Sequence, residues 1–245
     1  VNRTLIRRAS AEFAGTALLV AAVVGSGIAA ARLSPGDVGL QLLENAIATA
    51  FALGALILVF GPVSGAHLNP VVSAVDWWLG RRAGTGLTVP DLAAYTAAQV
   101  TGAVAGSVLA NLMFDLPAVT WSHTERAGGN LWLAEIVATA GLVVLVFALA
   151  RSGRTATAPA AVGAYIGAAY WFTSSTSFAN PAVTIGRTVT DTFAGIAPTS
   201  VPGFVVAQFV GGLVGVAALA AWYPRDGDVA DDVLVPHLAE ETEAR

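Results

Sequence analysis

Two asparagines, each directly before a proline, are the side chains of this 245-residue sequence best placed to handle a small polar ligand: Asn69-Pro70 and Asn180-Pro181. An Asn amide carries one acceptor and two donor hydrogens. Asn followed by Pro also starts a helix well, because Asn caps free backbone N–H groups and Pro at the first helical position lacks only a donor that would go unused. Each pair therefore opens a helix, over 69–79 and 180–193, and both are shorter than the ~20 apolar residues that cross a bilayer. They read as half-helices.

Bond-breaking chemistry finds little support. Cys is absent, which removes disulfides, thiolate nucleophiles and thiolate metal sites, and His67, His123 and His237 are scattered. No paired carboxylate site or phosphate-binding loop is present, so neither an enzyme nor a metal or other cofactor is expected.

The elements that hold the two asparagines are apolar. Mean hydropathy is +0.70, 56% of residues are hydrophobic and 11% are charged, against ~25% in an average soluble domain. The chain is expected to be an all-α integral membrane protein in a lipid bilayer, and nothing in it calls for a nucleic-acid partner. Full spans are expected over about 9–31, 38–61, 89–114, 130–150, 159–172 and 201–223, making six with the two half-helices between them. A short N-terminus (1–8), a loop at 115–129 and an acidic tail at 224–245 complete the layout. All 12 cationic residues are Arg. With both termini inside, Arg3, Arg7, Arg8, Arg81, Arg82, Arg151, Arg154, Arg225 and Arg245 lie inside against Arg32, Arg126 and Arg187 outside, as the positive-inside rule requires of cytoplasmic termini in a cell membrane.

The halves repeat one another. Ala11-Glu12-Phe13 with Thr16 is matched by Ala134-Glu135-Ile136 with Thr139, and Ala98-Gln99 with Gly102-x-x-x-Gly106 by Ala207-Gln208 with Gly211-x-x-x-Gly215. The repeats cover 9–114 and 130–223. Three full spans per half is an odd number, so the second half enters from the opposite side as an inverted repeat. The half-helices then meet near the midplane, where non-helical backbone is tolerated only inside protein or against a water-filled cavity. A central pore satisfies this.

The twin Asn-Pro steps, the run Ser64-Gly65-Ala66-His67-Leu68-Asn69-Pro70, the early Glu of each half and the paired Ala-Gln helices resemble the aquaporin family, also called the major intrinsic proteins. The resemblance spans about 9–223 and implies a homotetramer with one pore per subunit, passing water or small neutral solutes. It implies that Asn69 and Asn180 mark the pore midplane, that Gly65, Ala66, His67, Phe178 and Ala179 line the pore, and that Glu12, Glu135, Gln99 and Gln208 are buried structural groups tying the re-entrant loops. Val71 stands where the first motif usually has Ala.

Most family members carry an Arg directly after the second Asn-Pro-Ala, at a constriction near the outer mouth. Here that position is Val183, and ungapped counting from each Asn puts the other constriction positions at Thr49, Ala168 and Ser177, none aromatic or charged. Arg187, one helical turn beyond Val183, either replaces the missing charge or anchors the exterior. The chain looks closest to a bacterial branch lacking the filter Arg, which implies polyols, urea and metalloid hydroxides such as arsenous acid as cargo, with methylated arsenicals and arsenic resistance as an extension. A water-selective pore is the alternative, and a coupled secondary transporter using Glu12 or Glu135 a remote one.

Overall fold

In a bilayer every backbone polar group must be satisfied within the protein, so spanning runs become helices. The computed structural model describes residues 3–224 and contains α1 (Arg3–Leu33), α2 (Val38–Ser64), α3 (Pro70–Gly80), α4 (Val89–Met113), α5 (Gly129–Arg151), α6 (Ala158–Phe172), α7 (Pro181–Gly186) and α8 (Val201–Trp222). Short 3-10 turns at Thr155–Thr157, Arg187–Val189 and Pro198–Ser200 join them, and the described residues include no strand. The expected tail at 224–245, with Arg225, Arg245 and His237, lies outside the described residues apart from Pro224. Five helices, α1, α2, α4, α5 and α8, are long and apolar enough to cross a membrane. The sixth, α6, has 15 residues and is about 22 Å long. The 3-10 turn before it and the extended chain after it lengthen its path.

Two expected boundaries need correction. The N-terminus is not a separate segment over 1–8, since α1 already runs from Arg3: Arg8 extends the helix because its Nε donates to the Tyr95 hydroxyl at 2.9 Å and its guanidinium sits 3.9 Å from Asp91. The second half-helix does not reach 193. It stops at Gly186, whose carbonyl accepts from Ser107 Oγ at 2.7 Å and whose Cα lies so close to Ala103 that a Cβ there would come within 2.6 Å of its backbone. The chain then tightens into the 3-10 turn at Arg187.

The helices pair as the repeat demands. The main contacts are α1 with α4, α5 with α8, α1 with α2 and α2 with α6. Small residues set the first two crossings: a Cβ on Gly106 would lie 2.1 Å from the Ala17 carbonyl oxygen, and one on Gly215 would lie 2.8 Å from that of Ala140. Each half-helix packs on both α4 and α8, so each is held by its own half and the other. Large apolar side chains such as Phe51, Leu58, Val206 and Leu213 remain exposed on the periphery, a surface suited to lipid or to other copies.

Candidate functional site

The site begins at the two half-helix starts. Asn69 and Asn180 adopt extended backbone before Pro at the first helical position, and each side-chain oxygen accepts from the first turn: Asn69 Oδ1 from the Val71 N–H at 2.9 Å, Asn180 Oδ1 from those of Ala182 and Val183 at 3.0 and 3.2 Å. That fixes which way each amide nitrogen points. Asn69 Nδ2 donates to the Ala179 carbonyl at 2.8 Å and Asn180 Nδ2 to the Leu68 carbonyl at 2.7 Å, each crossing to the opposite loop. One hydrogen per amide is used this way, and the other is left for a solute in the cavity that both asparagines line.

The loops leading into the half-helices are strained in the same pattern. Ala66 and Leu68 in one and Thr176, Ser177 and Ala179 in the other have φ between 46° and 61° although each carries a Cβ. Such left-handed residues cost roughly 1–3 kcal/mol apiece unless their surroundings hold them. Two buried carboxylates supply that hold. Glu12 accepts from Ser64 Oγ (2.6 Å), the His67 and Leu68 N–H groups (2.9 and 2.6 Å) and Gln99 Nε2 (2.8 Å). Glu135 accepts from Ser175 Oγ (2.6 Å), the Phe178 and Ala179 N–H groups (2.9 and 2.8 Å) and Gln208 Nε2 (2.7 Å). Gln99 and Gln208 donate in turn to Ser73 and Thr184 on the half-helices. With all four residues fully buried, the network ties each loop to helices of its own half.

Between the loops lies a cavity of about 70 Å³, room for roughly five waters. Its lining includes Asn69, Asn180, Thr49, Ser177, Val183, Ala66, His67, Phe178 and Ala179 from the expected set. His67 is buried, 3.1 Å from Ser73 Oγ through Nδ1 and edge-on to Tyr95. Leu19, Val23, Leu142, Val146 and Ile166 make the opposite wall apolar.

Two expected lining residues are corrected. Ala168 is exposed on the outside of α6 and does not line the cavity. The face turned inward carries Val162, Ile166 and Tyr170, four residues apart, and Ala168 stands about 200° around the helix from Ile166. Tyr170 holds the place assigned to Ala168, with its hydroxyl 3.2 Å from Thr49 Oγ1. Gly65 is outside the lining as well. It ends α2 in the left-handed conformation at φ 86°, its N–H bonded to the Gly61 carbonyl. Tyr170 and Arg187 line the cavity as well, beside the expected Phe178, so its wall carries aromatic and charged side chains. The four-residue stripe of bulky side chains on α6 was the signal for Tyr170.

The end of the bundle that carries the loop between α4 and α5 is closed around the segment after α7. Thr120 and Ser122 N–H groups donate to the Val189 and Thr188 carbonyls, and Arg126 Nε donates to the Gly195 carbonyl at 3.0 Å. His123 donates its backbone N–H to Asp191 at 3.0 Å, with ring Nδ1 3.1 Å from the other carboxylate oxygen, and these bonds hold the Asp191 carboxyl below its ordinary pKa. The latch is in force above the unfolded-chain value of about 3.9 and is lost only as pH falls through the lower folded value.

Comparison with known proteins places this geometry in context. The family described as "Major intrinsic protein" matches residues 1–179. The Rhizobium meliloti (strain 1021) protein named Aquaglyceroporin AqpS is 52% identical over 215 residues, which is 88% of this chain and 89% of its own length. Aquaporin TIP1-1 of Zea mays is 33% identical over 192 residues, 74% of each chain. The X-ray structure of the aquaglyceroporin from Plasmodium falciparum superposes with a TM-score of 0.64, covering 89% of this chain and 96% of that one; at 19% identity the likeness is one of fold.

Proposed function

Since the chain belongs to the major intrinsic protein family, a family of passive channels and not of enzymes, we propose that the cavity between the two half-helices is the pore of a wide channel for small uncharged solutes. The chain is a membrane channel for water and small solutes. The observation that carries it is Val183 in the cavity wall directly after Asn180-Pro181-Ala182, a short apolar side chain where an arginine would fill the lumen. The lining also includes apolar side chains such as Leu142, Val146 and Ile166, while Asn69, Asn180 and Ser177 supply a polar track. Such a pore suits solutes with hydroxyl groups and some apolar surface: polyols, urea and metalloid hydroxides such as arsenous acid, with methylated arsenicals as an extension. The two half-helix N-termini facing each other place about half a positive charge apiece at the midplane, which opposes cations and protons.

Water selectivity is the second reading, favoured by Tyr170 and Arg187 at the outer end of the lumen. Arsenous acid and glycerol uptake by proteoliposomes decides between the two. Both are expected above the empty-vesicle rate; water flux with neither solute overturns the wide-channel reading. We also propose a homotetramer in the cell membrane with cytoplasmic termini, supported by the exposed apolar periphery and the Arg distribution. As the sequence has no Cys, single substitutions report sidedness cleanly. An impermeant maleimide should label Ala127→Cys but not Ala83→Cys in intact cells, and the reverse pattern would overturn the orientation.

A further inference from the structure

Arg187 is buried, faces the cavity and stacks on Phe178 with its guanidinium carbon 3.5 Å from the ring centroid. Its Nε donates to the Ala194 carbonyl. Among the described residues no carboxylate lies within ion-pair distance of it, Asp191 being engaged by His123. A guanidinium has five donor hydrogens in a rigid fork, so fixing one leaves the terminal nitrogens for the lumen. A buried cation with no carboxylate partner beside a cavity that can hold water is costly to keep unless solute or water takes those donors.

The path of the chain explains its position. Arg187 follows Val183 by four residues, so the two share one face of the half-helix turn, and helical side chains lean toward the helix N-terminus. The Arg187 side chain lies against the Phe178 ring and, like Val183, lines the cavity. The 3-10 turn that begins at Arg187 follows directly from the halt of α7 at Gly186. We propose that Arg187 is the charged, specificity-determining residue of the outer constriction, displaced by one turn from the position directly after Asn180-Pro181-Ala182, and that the short Val183 leaves it room. Phe178 and the Ala194 carbonyl are its positioning partners. Thr49, Tyr170 and Ser177 complete the ring, and the Ser177 hydroxyl, which has no protein partner, offers a solute one more hydrogen bond. The role assigned to Arg187 is to pass neutral solutes that accept hydrogen bonds from its fork and to reject cations of the same shape.

This inference rests on the cavity being the pore, and urea with guanidinium, a neutral and a cationic solute of nearly equal size and shape, separates the two questions. Proteoliposomes holding the native chain are expected to pass urea and to pass guanidinium no faster than empty vesicles. In Arg187→Gln or Arg187→Met, the latter filling the same space on Phe178, the guanidinium-to-urea ratio should rise on the order of tenfold, while Arg187→Lys keeps it low. Folding of each variant is judged by thermal stability and elution in detergent rather than by flux. A native channel that passes guanidinium as readily as urea overturns the proposal, as does an unchanged ratio in a folded neutral variant. Absence of native urea flux overturns the wide-channel reading instead, and guanidinium flux appearing in Arg187→Met then still supports the role of Arg187.

Discussion

Glu135→Ala is expected to abolish channel activity by preventing the fold. The substitution removes the acceptor of four hydrogen bonds, those from Ser175, Phe178, Ala179 and Gln208, in a fully buried site. Bonds to a charged group contribute about 1.5–3 kcal/mol each, against total stabilities of about 5–15 kcal/mol. Their loss also releases the left-handed Ser177 and Ala179 and leaves two buried amide hydrogens without partners. Glu135→Gln keeps the shape but turns an NH2 group toward donors, so it should fold in reduced yield. The measurement is the thermal unfolding and single-species elution of each variant in detergent. Glu135→Ala with native stability and flux would show that the carboxylate does not hold the loop. A coupled transporter would behave otherwise: Glu135→Gln would fold normally and lose only gradient-driven uptake. Glu12→Ala should reproduce the result, since its donors repeat those of Glu135 residue for residue.

Val183→Arg is expected to lower glycerol and urea flux by about tenfold or more, equivalent to at least ~1.4 kcal/mol on the barrier, with water flux less affected. Val183 is buried in the cavity wall one turn before Arg187. A second guanidinium there both fills the lumen and meets a like charge one turn away, which removes the room that a glycerol-sized solute needs. Stopped-flow light scattering on proteoliposomes reads all three solutes. The double substitution Val183→Arg with Arg187→Val removes the repulsion and moves the guanidinium back by one turn, so it should regain water flux while holding glycerol low. Unchanged glycerol flux in Val183→Arg would place the constriction elsewhere.

Much of this architecture was legible in the sequence because its determinants are local or repeated. Asn-Pro caps a helix wherever it occurs, and two copies at matching places, each with a Glu and an Ala-Gln helix in the same order, identify the groups that must meet. The hydrogen bonds of Glu12 and Glu135 follow the repeat. Positions that depend on how the chain passes between elements were not legible. Ungapped counting from Asn180 back to α6 selected Ala168, which stands two residues, about 200° around the helix, from the cavity-lining Tyr170 and is turned to the outer surface. The direction of Arg187 depends on Ser107 and Ala103, far away in sequence, ending α7 at Gly186. The pairing of 120–124 with the segment after α7 is held largely by backbone bonds, which leave no pattern of residue types.

If the space between Asn69 and Asn180 is the pore of a wide channel, glycerol permeates the native chain. Stopped-flow shrinkage and reswelling of proteoliposomes in a glycerol gradient, set beside water flux from the same vesicles and beside empty vesicles, is the measurement. Glycerol entry well above the empty-vesicle rate, together with water flux, is the expected result. Rapid water flux with glycerol entry equal to that of empty vesicles would contradict it.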